Sequence, residues 1–412
     1  MTDVMHAQNN MPIDSCPASA PMHEPAAPYT QAPLLDWDGY NHAVRRCAHC
    51  IMPHIPGVVD FDDRGLCSAC KSRQRHSPEQ EAQASATGFQ TKTAAERERI
   101  FRKKIERYRG HGEYDCAVAV SGGKDSLGVW YLAREMGLKT LAIFIDNGFA
   151  LPEMYENIKN ASTILHSDVM VYRTTEPVRL FEVFLKSNKP IYYCHVCHML
   201  LDVYVRKVAK ANGVNLILGG YTKGQSYLSE NTLKWIFDET DKNVLAILDA
   251  ADEFGEVRRL LEDPVKYSFE NFRDIMEISP FKYLDYDEDE LRRIVAEKLA
   301  GSSPKDSWPD GSTNCLFNYV SQYLAVRQFG YSQHETEMSD LVRMNELTRE
   351  RALETIETPI SREHLAAALA PYPDIDIAYL DTEMESLVPS GSPVPGRQKR
   401  DGRPREAPCP NG

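Results

Sequence analysis

The sequence predicts an α/β protein: a doubly wound parallel sheet, preceded by a zinc-ribbon-like knuckle and followed by a mostly helical region. Three observations carry that prediction. From residue 114 onward, short apolar runs alternate with stretches of helical periodicity. The first run ends in a glycine-rich loop, Val120-Ser121-Gly122-Gly123-Lys124-Asp125-Ser126, that opens directly into a helical pattern. Ahead of both stand two Cys-x-x-Cys knuckles. Strands alternating with helices imply a parallel sheet covered on both faces, and ligands of such sheets bind beyond the C-terminal ends of the strands.

Length and composition agree with this class. At 412 residues the chain holds one large domain or two ordinary ones. A hydrophobic fraction of 42% and a charged fraction of 26% are those of a globular protein that folds in water. A net charge of −13 disfavours broad nonspecific binding to nucleic acid. No apolar run reaches the roughly eighteen residues of a membrane span, and the N-terminus lacks the basic start and apolar core of a signal peptide. A cytoplasmic location with reduced thiols is therefore expected. The ten cysteines then point to metal or catalysis before disulfides.

In chain order, residues 1–36 read as a disordered tail, as does the Pro/Gly/Arg-rich stretch 388–412. The first ordered unit is 45–72, with Cys47-Ala48-His49-Cys50 and Cys67-Ser68-Ala69-Cys70 in a C-x2-C-x16-C-x2-C arrangement. That spacing can set four thiolates tetrahedrally around Zn²⁺. Pro53, Pro56, Gly57 and Asp62-Asp63-Arg64-Gly65 supply the turns between them. So short a segment has little core of its own, so metal supplies much of its folding energy. Four cysteines close the site, which leaves His49 and His54 as surface residues. A polar linker is expected at 77–93, an α/β domain at 94–235 and a mostly helical region at 236–370.

Within the α/β domain the periodicity predicts a helix at 94–108 and strands at 116–120, 140–146, 168–173 and 215–220. Helices are predicted at 127–135, 153–165, 178–187 and 198–211 between them, and later at 242–265, 287–299, 316–329 and 348–356. Three loops should meet at one end of the sheet: 121–126, Asp146-Asn147-Gly148 and 219–225.

The glycine loop has the chemistry of a phosphate cradle. Gly122 and Gly123 lack a β-carbon, so the backbone can bend and bring its N–H groups onto an anion. The helix that follows adds partial positive charge. Lys124 supplies a point charge, and Ser121 and Ser126 supply hydroxyls. A Walker A loop is excluded, because the upstream glycine is missing. The string S-G-G-K-D-S resembles the PP-loop of the adenine-nucleotide α-hydrolase (ATP pyrophosphatase) superfamily, whose fold is HUP-like. That resemblance implies Mg²⁺ and ATP, cleavage between the α- and β-phosphates, and roles for Lys124, Asp125 and Ser126 in the reaction. Asp146, at a strand end, is placed either to meet Mg²⁺ or the nucleotide, or to cap the turn before Gly148. Gly219-Gly220 permits close backbone approach. Lys223 either reaches a phosphate or is solvated.

A second cysteine group is Cys194-His195-Val196-Cys197-His198, read as a loop feeding a helix, with Cys315 far along the chain in Gly311-Ser312-Thr313-Asn314-Cys315-Leu316. Haem attachment is set aside, since there is no export signal and a nucleotide fold surrounds the string. Helix starts favour thiolates, so the three suit three irons of a [4Fe-4S] cluster, or a persulfide-carrying pair. The bland alternative is a zinc-binding or reduced Cys194/Cys197 pair and a buried Cys315. The arrangement is similar to the cluster-bearing PP-loop tRNA thiolases, and that resemblance assigns Cys194, Cys197 and Cys315 to the cluster.

Another resemblance covers more of the chain. Arg46-Cys47-Ala48-His49-Cys50-Ile51-Met52-Pro53, Pro56-Gly57, Phe61-Asp62 and Gly65-Leu66-Cys67-Ser68-Ala69-Cys70 resemble the zinc region of the N-acetyl sugar amidotransferases of surface-polysaccharide synthesis. Tyr114-Asp115-Cys116, Phe329-Gly330-Tyr331-Ser332 and Leu347-Thr348-Arg349-Glu350 extend the likeness. The chain is expected to depart from that family at Asn314-Cys315.

Both resemblances imply ATP-dependent adenylation of a substrate oxygen and its replacement by another nucleophile. They differ in that nucleophile. Sulfur would come from a donor or carrier protein. Nitrogen would come as ammonia from a separate glutaminase, since the chain holds no convincing glutaminase segment. The cysteine group favours sulfur. A third reading is a non-catalytic nucleotide-binding zinc protein that kept the loop. A small molecule, a sugar or a tRNA is the expected acceptor, with the acidic balance favouring the first two. No membrane partner is expected, and an oligomer is compatible with the sequence.

Overall fold

The structure, a computed structural model, describes residues 44–75, 92–221, 231–309 and 313–388. The tail expected at 1–36, that at 388–412 beyond Val388, most of the 77–93 linker and Lys223 lie outside the described residues.

Five parallel strands form one sheet in the order β3-β2-β1-β4-β5. They are β1 (Cys116–Ala119), β2 (Thr140–Asp146), β3 (Asp168–Arg173), β4 (Leu216–Leu218) and β5 (Met276–Ile278). The helices before β5 are α1 (Ser68–Arg75), α2 (Ala94–Tyr108), α3 (Lys124–Glu135), α4 (Pro152–Leu165), α5 (Glu176–Ser187), α6 (Tyr193–Ala211), α7 (Asn231–Leu248), α8 (Gly255–Glu262) and α9 (Pro264–Phe272). After it come α10 (Glu288–Arg293), α11 (Asn318–Phe329), α12 (Gln333–Arg343), α13 (Arg349–Glu357), α14 (Arg362–Leu369) and α15 (Ile377–Thr382). No helix among the described residues is long and apolar enough to cross a membrane.

The side-chain period of two divides the central strands between two cores. Ala117, Leu141, Ile143, Ile145 and Ile217 face α5, α6 and the C-terminal helices α11, α14 and α15. Cys116, Val118, Ala142, Phe144, Leu216 and Leu218 face α2, α3 and α4. Every residue of β2 is buried, as its unbroken apolar run requires of a strand covered on both faces. A third core joins the cysteine knuckle to α7, α11, α12 and α13 through Ile51, Ile55, Ile236, Phe329, Val342 and Ile356.

Several elements differ from the sequence expectation. β5 is a three-residue strand at the sheet edge, too short to produce a periodic signal. The helix expected at 242–265 begins earlier and is broken: α7 ends at Leu248, and Pro264 opens a new helix, α9, because its ring fits a first turn but not an interior. The helix expected at 287–299 changes after Arg293 into a π-turn over Ile294–Lys298. Helix α6 begins at Tyr193, five residues before the expected start, so Cys194 lies in its first turn and Cys197 at the start of its second, not in a loop.

Candidate active site at the C-terminal end of the sheet

The glycine loop leaves β1 and turns on Gly122, whose φ is +83°. Gly123 is the N-cap of α3, with no side chain to cap the helix. Ser126 closes the loop from inside: its Oγ donates to Gly123 O (3.1 Å) and accepts from the Ser121 N–H (3.1 Å). The Ser121 and Ser126 hydroxyls are 3.2 Å apart. Lys124 Nζ contacts both Asp125 carboxylate oxygens at 2.9 Å and stands 3.8 Å from Glu288. Burial pushes the Asp125 carboxyl above its usual range, and Lys124 opposes that shift.

Two neighbours fix the loop. Asn157 on α4, buried on the same stripe as Met154, Ile158 and Ala161, donates to Gly122 O (2.9 Å) and Ser302 O (2.8 Å). Its Oδ1 accepts from the Ser302 N–H at 2.8 Å. Just beyond β4, Gly220 lies against the start of α3, where a β-carbon would stand 2.8 Å from Ser126 N. Gly219 is crowded by Tyr221 and Glu277, at 2.9 and 3.1 Å from an added β-carbon. Asp146 takes the turn-cap geometry: its carboxylate accepts from Gly148 N (3.0 Å), Tyr155 OH (2.8 Å) and Arg173 Nε (2.7 Å).

The segment after β2 pairs with the start of the C-terminal helical region. Ala150 and Cys315 form an antiparallel bridge, Leu316 N–H donates to Phe149 O (2.7 Å), and Leu151 N–H donates to Asn314 O (3.0 Å). Asn314 Nδ2 reaches Ser121 Oγ at 2.9 Å. Next to it, Cys315 comes within electrostatic reach of Cys194 and Cys197. Cys197 Sγ accepts from Asn147 Nδ2 at 3.5 Å, and Asn147 Oδ1 is held by the Phe149 N–H at 3.1 Å. Gln322 Nε2 stands 4.0 Å from Cys194 Sγ, while its Oε1 is buried with no hydrogen-bond partner among the described residues. Among the described residues, three cysteines with no fourth beside them, and amide N–H groups aimed at two of their sulfurs, suit a sulfur-ligated cluster more than a closed zinc site.

The expectation that helix starts would favour thiolates here is corrected. Burial pushes all three thiols up, and charge on Cys194 adds to the shift of Cys197 and of Cys315, which reaches about 12. Desolvation outweighs the helix terminus, so a bound cation is needed to hold these groups as thiolates.

Residues 115–248 match the phosphoadenosine phosphosulfate reductase domain family. The chain carries a PP-loop domain. Residues 313–385 match a second family, described as LPS biosynthesis protein WbpG-like, C-terminal domain. That match spans Asn314 and Cys315, the element at which a departure from the surface-polysaccharide enzymes is expected.

Over 316 residues the chain is 23% identical to an uncharacterized protein of Methanocaldococcus jannaschii, covering 76% of this chain and 94% of that one. Over 141 residues it is 25% identical to the tRNA-5-methyluridine(54) 2-sulfurtransferase of Thermotoga maritima, covering 32% of this chain and 46% of that enzyme. Among solved structures, the U34-tRNA thiolase NcsA of Methanococcus maripaludis, with its [4Fe-4S] cluster, aligns over 81% of this chain and 97% of its own at 13% identity and a TM-score of 0.29.

Away from the PP-loop, Cys47, Cys50, Cys67 and Cys70 are buried with their sulfurs within 4.8 Å of one another. Contact with Cys50, then with Cys67 and Cys70, pulls the Cys47 thiol far below its ordinary value. Four converging thiols, one of them readily deprotonated, fit a structural Zn²⁺. His49 is exposed, its Nδ1 3.6 Å from Cys70 Sγ.

Asn147, Asn157 and Asn314 were not singled out as site residues by motif reasoning. In the sequence Asn147 stands in one of the converging loops, Asn314 stands beside Cys315, and Asn157 is a polar residue on an otherwise apolar helical stripe.

Proposed function

We propose that this chain uses ATP to adenylate an oxygen of its acceptor and that sulfur then replaces that oxygen. One observation carries the reading: Asn314 touches the PP-loop, and its neighbour Cys315 lies within electrostatic reach of Cys194 and Cys197. Activation and delivery of the nucleophile would thus be adjacent.

In this reading the acceptor oxygen attacks the α-phosphorus, the bond to the β-phosphate breaks, and pyrophosphate leaves. The loop N–H groups, the start of α3 and Lys124 would neutralise charge on the leaving pyrophosphate. Lys124 would exchange its contact with Asp125 for phosphate oxygens, and Asp125 would turn toward Mg²⁺. Ser121 and Ser126 supply hydroxyls at the same place. Cys194, Cys197 and Cys315 would hold the cluster, which would supply a binding place for the incoming sulfur. Asn147 and Gln322 would orient the sulfurs of Cys197 and Cys194. AMP then leaves with the original oxygen as sulfur takes its place on carbon.

The Thermotoga maritima relative, a tRNA sulfurtransferase by name, supports a tRNA acceptor. A second reading rests on the WbpG-like match at 313–385: amidation of an N-acetyl sugar with ammonia from a separate glutaminase. Cys315 lies within that match, so its presence does not separate the two.

Iron and sulfide content does. Anaerobically purified protein should be brown and carry iron and sulfide, and Cys315→Ala should lose both while keeping zinc. A colourless protein with zinc alone would reject sulfur transfer through a cluster and favour amidation. Lys124→Ala should abolish acceptor-dependent AMP formation at unchanged zinc content.

A further inference from the structure

We propose that Asn314 is a phosphate-positioning residue of the PP-loop and ties occupancy of that loop to the placement of Cys315. The inference deepens the reading above and rests on the loop binding ATP.

Asn314 does not belong to the loop. It arrives from the segment ahead of α11, 193 residues beyond Ser121, and its Nδ2 lies 2.9 Å from Ser121 Oγ. Its carboxamide also lies on Gly123, where an added β-carbon would stand 2.4 Å from Nδ2. The backbone at Gly123 is extended, with φ −83°, so it is the seat of Asn314 that leaves no room for a side chain there. A neutral amide at that position offers an N–H donor without the negative charge that would repel phosphate. A phosphate oxygen at the loop mouth would take the hydrogen bond now accepted by Ser121 Oγ.

The backbone carries the consequence. Residues 314–316 are pinned to 149–151 by the Leu151 N–H to Asn314 O and Leu316 N–H to Phe149 O bonds, with Cys315 bridged to Ala150. Successive side chains of an extended segment point to opposite sides. Asn314 accordingly faces the loop, and Cys315 packs against the other core, beside the site of Cys197. A ligand that draws in the Asn314 amide steadies the bridge that positions Cys315. By linkage, whatever binds at Cys315 acts on the loop by the same factor.

The test uses the full-length zinc-loaded chain, with ATP, pyrophosphate and adenosine as probes in calorimetry. Asn314→Ala should weaken ATP and pyrophosphate about tenfold, the loss of one charge-assisted hydrogen bond, and leave adenosine unchanged. Asn314→Asp should weaken the two phosphates further, and Asn314→Ser, which keeps a donor, should recover part of the loss. Zinc content reports folding in each variant. Hydrogen exchange at 149–151 and 314–316 should slow when pyrophosphate binds the wild type and not when it binds Asn314→Ala. Wild-type protein that binds neither ATP nor pyrophosphate would reject the ATP reading itself. Wild-type binding with unchanged pyrophosphate affinity in Asn314→Ala and Asn314→Asp would overturn the positioning role alone. Weakened binding with the exchange response intact in Asn314→Ala would overturn the link to Cys315.

Discussion

Arg343 Nη1 lies 3.3 Å from Cys50 Sγ, joining residues 293 positions apart in sequence. A guanidinium from α12 thus reaches the cysteine knuckle, and it is buried there beside Asp340. Arg349 adds bonds to Cys50 O (3.2 Å) and Cys47 O (3.4 Å), and Arg46 joins Ile51 O to Glu335, both at 2.9 Å. Four cysteinates around a bound Zn²⁺ would leave a net negative charge, which the buried arginine would offset.

Zinc retention and the fold of the C-terminal helices should therefore be linked. Arg343→Met should destabilise the chain by about 2 kcal/mol, the worth of a hydrogen bond to a charged group, and speed zinc loss to a chelator. Arg343→Lys should recover only part, because an ammonium lacks the planar fork. Full chelation should also change the fluorescence of Trp235, which packs on Phe329 (5.6 Å) and Tyr331 (6.3 Å) in the core shared with the knuckle. Chelation that leaves Trp235 unchanged would show the knuckle to be independent of these helices.

Gly220→Ala should damage the PP-loop from outside it. The new β-carbon would meet Ser126 N at 2.8 Å and Asp125 C at 3.0 Å, which are backbone atoms and cannot swing aside. Pyrophosphate release should fall by roughly an order of magnitude or more, as expected for an ångström-scale misplacement of catalytic groups. Gly112→Ala, with open space at its β-carbon, should be silent in the same assay.

The sheet was legible because its central strands are continuous apolar runs; the expected bounds of β2 and β3 agree with those observed. The glycine loop and the four-cysteine knuckle were legible because a short string fixes each. What could not be read is contact between distant segments. Nothing local marks Asn314 as a neighbour of Ser121, or Arg343 as a neighbour of Cys50. The thiol environment was also misjudged, since sequence gives position in a helix and not depth of burial. At Asp146 the sequence left a metal role and a turn cap open, and its oxygens are engaged by Gly148, Tyr155 and Arg173.

Glu277 on β5 should give the fold a pH dependence. Burial, with Asp202 adding to it and Arg206 opposing, pushes its carboxyl up to about 7. Arg206 Nη2 donates to it at 2.6 Å. The folded chain holds this proton more tightly than the unfolded chain, so ionisation costs stability. The contribution is greatest below the ordinary value of 4.5, falls as pH rises toward about 7, and is level above that. Urea midpoints taken across this range should fall more steeply for the wild type than for Glu277→Gln. Parallel profiles would assign the slope to other groups.

Asn157 offers the sharpest separation between a structural clamp and a simple space-filler. Its carboxamide uses both ends, donating to Gly122 O and Ser302 O and accepting from Ser302 N–H, at 2 % exposure. Asn157→Ala should cost about 2–3 kcal/mol, because it strands buried backbone groups. Asn157→Asp keeps the shape and the acceptor but sets a carboxylate against two carbonyl oxygens, so at neutral pH it should be the worse of the two. Protonation would restore one donor. The deficit of Asn157→Asp should therefore shrink as pH falls, while that of Asn157→Ala stays constant relative to wild type. Because Gly122 O belongs to the PP-loop, both variants should also raise the KM for ATP. Denaturation midpoints at two pH values, read beside the KM, test this; equal and pH-independent deficits would mean that Asn157 only fills space.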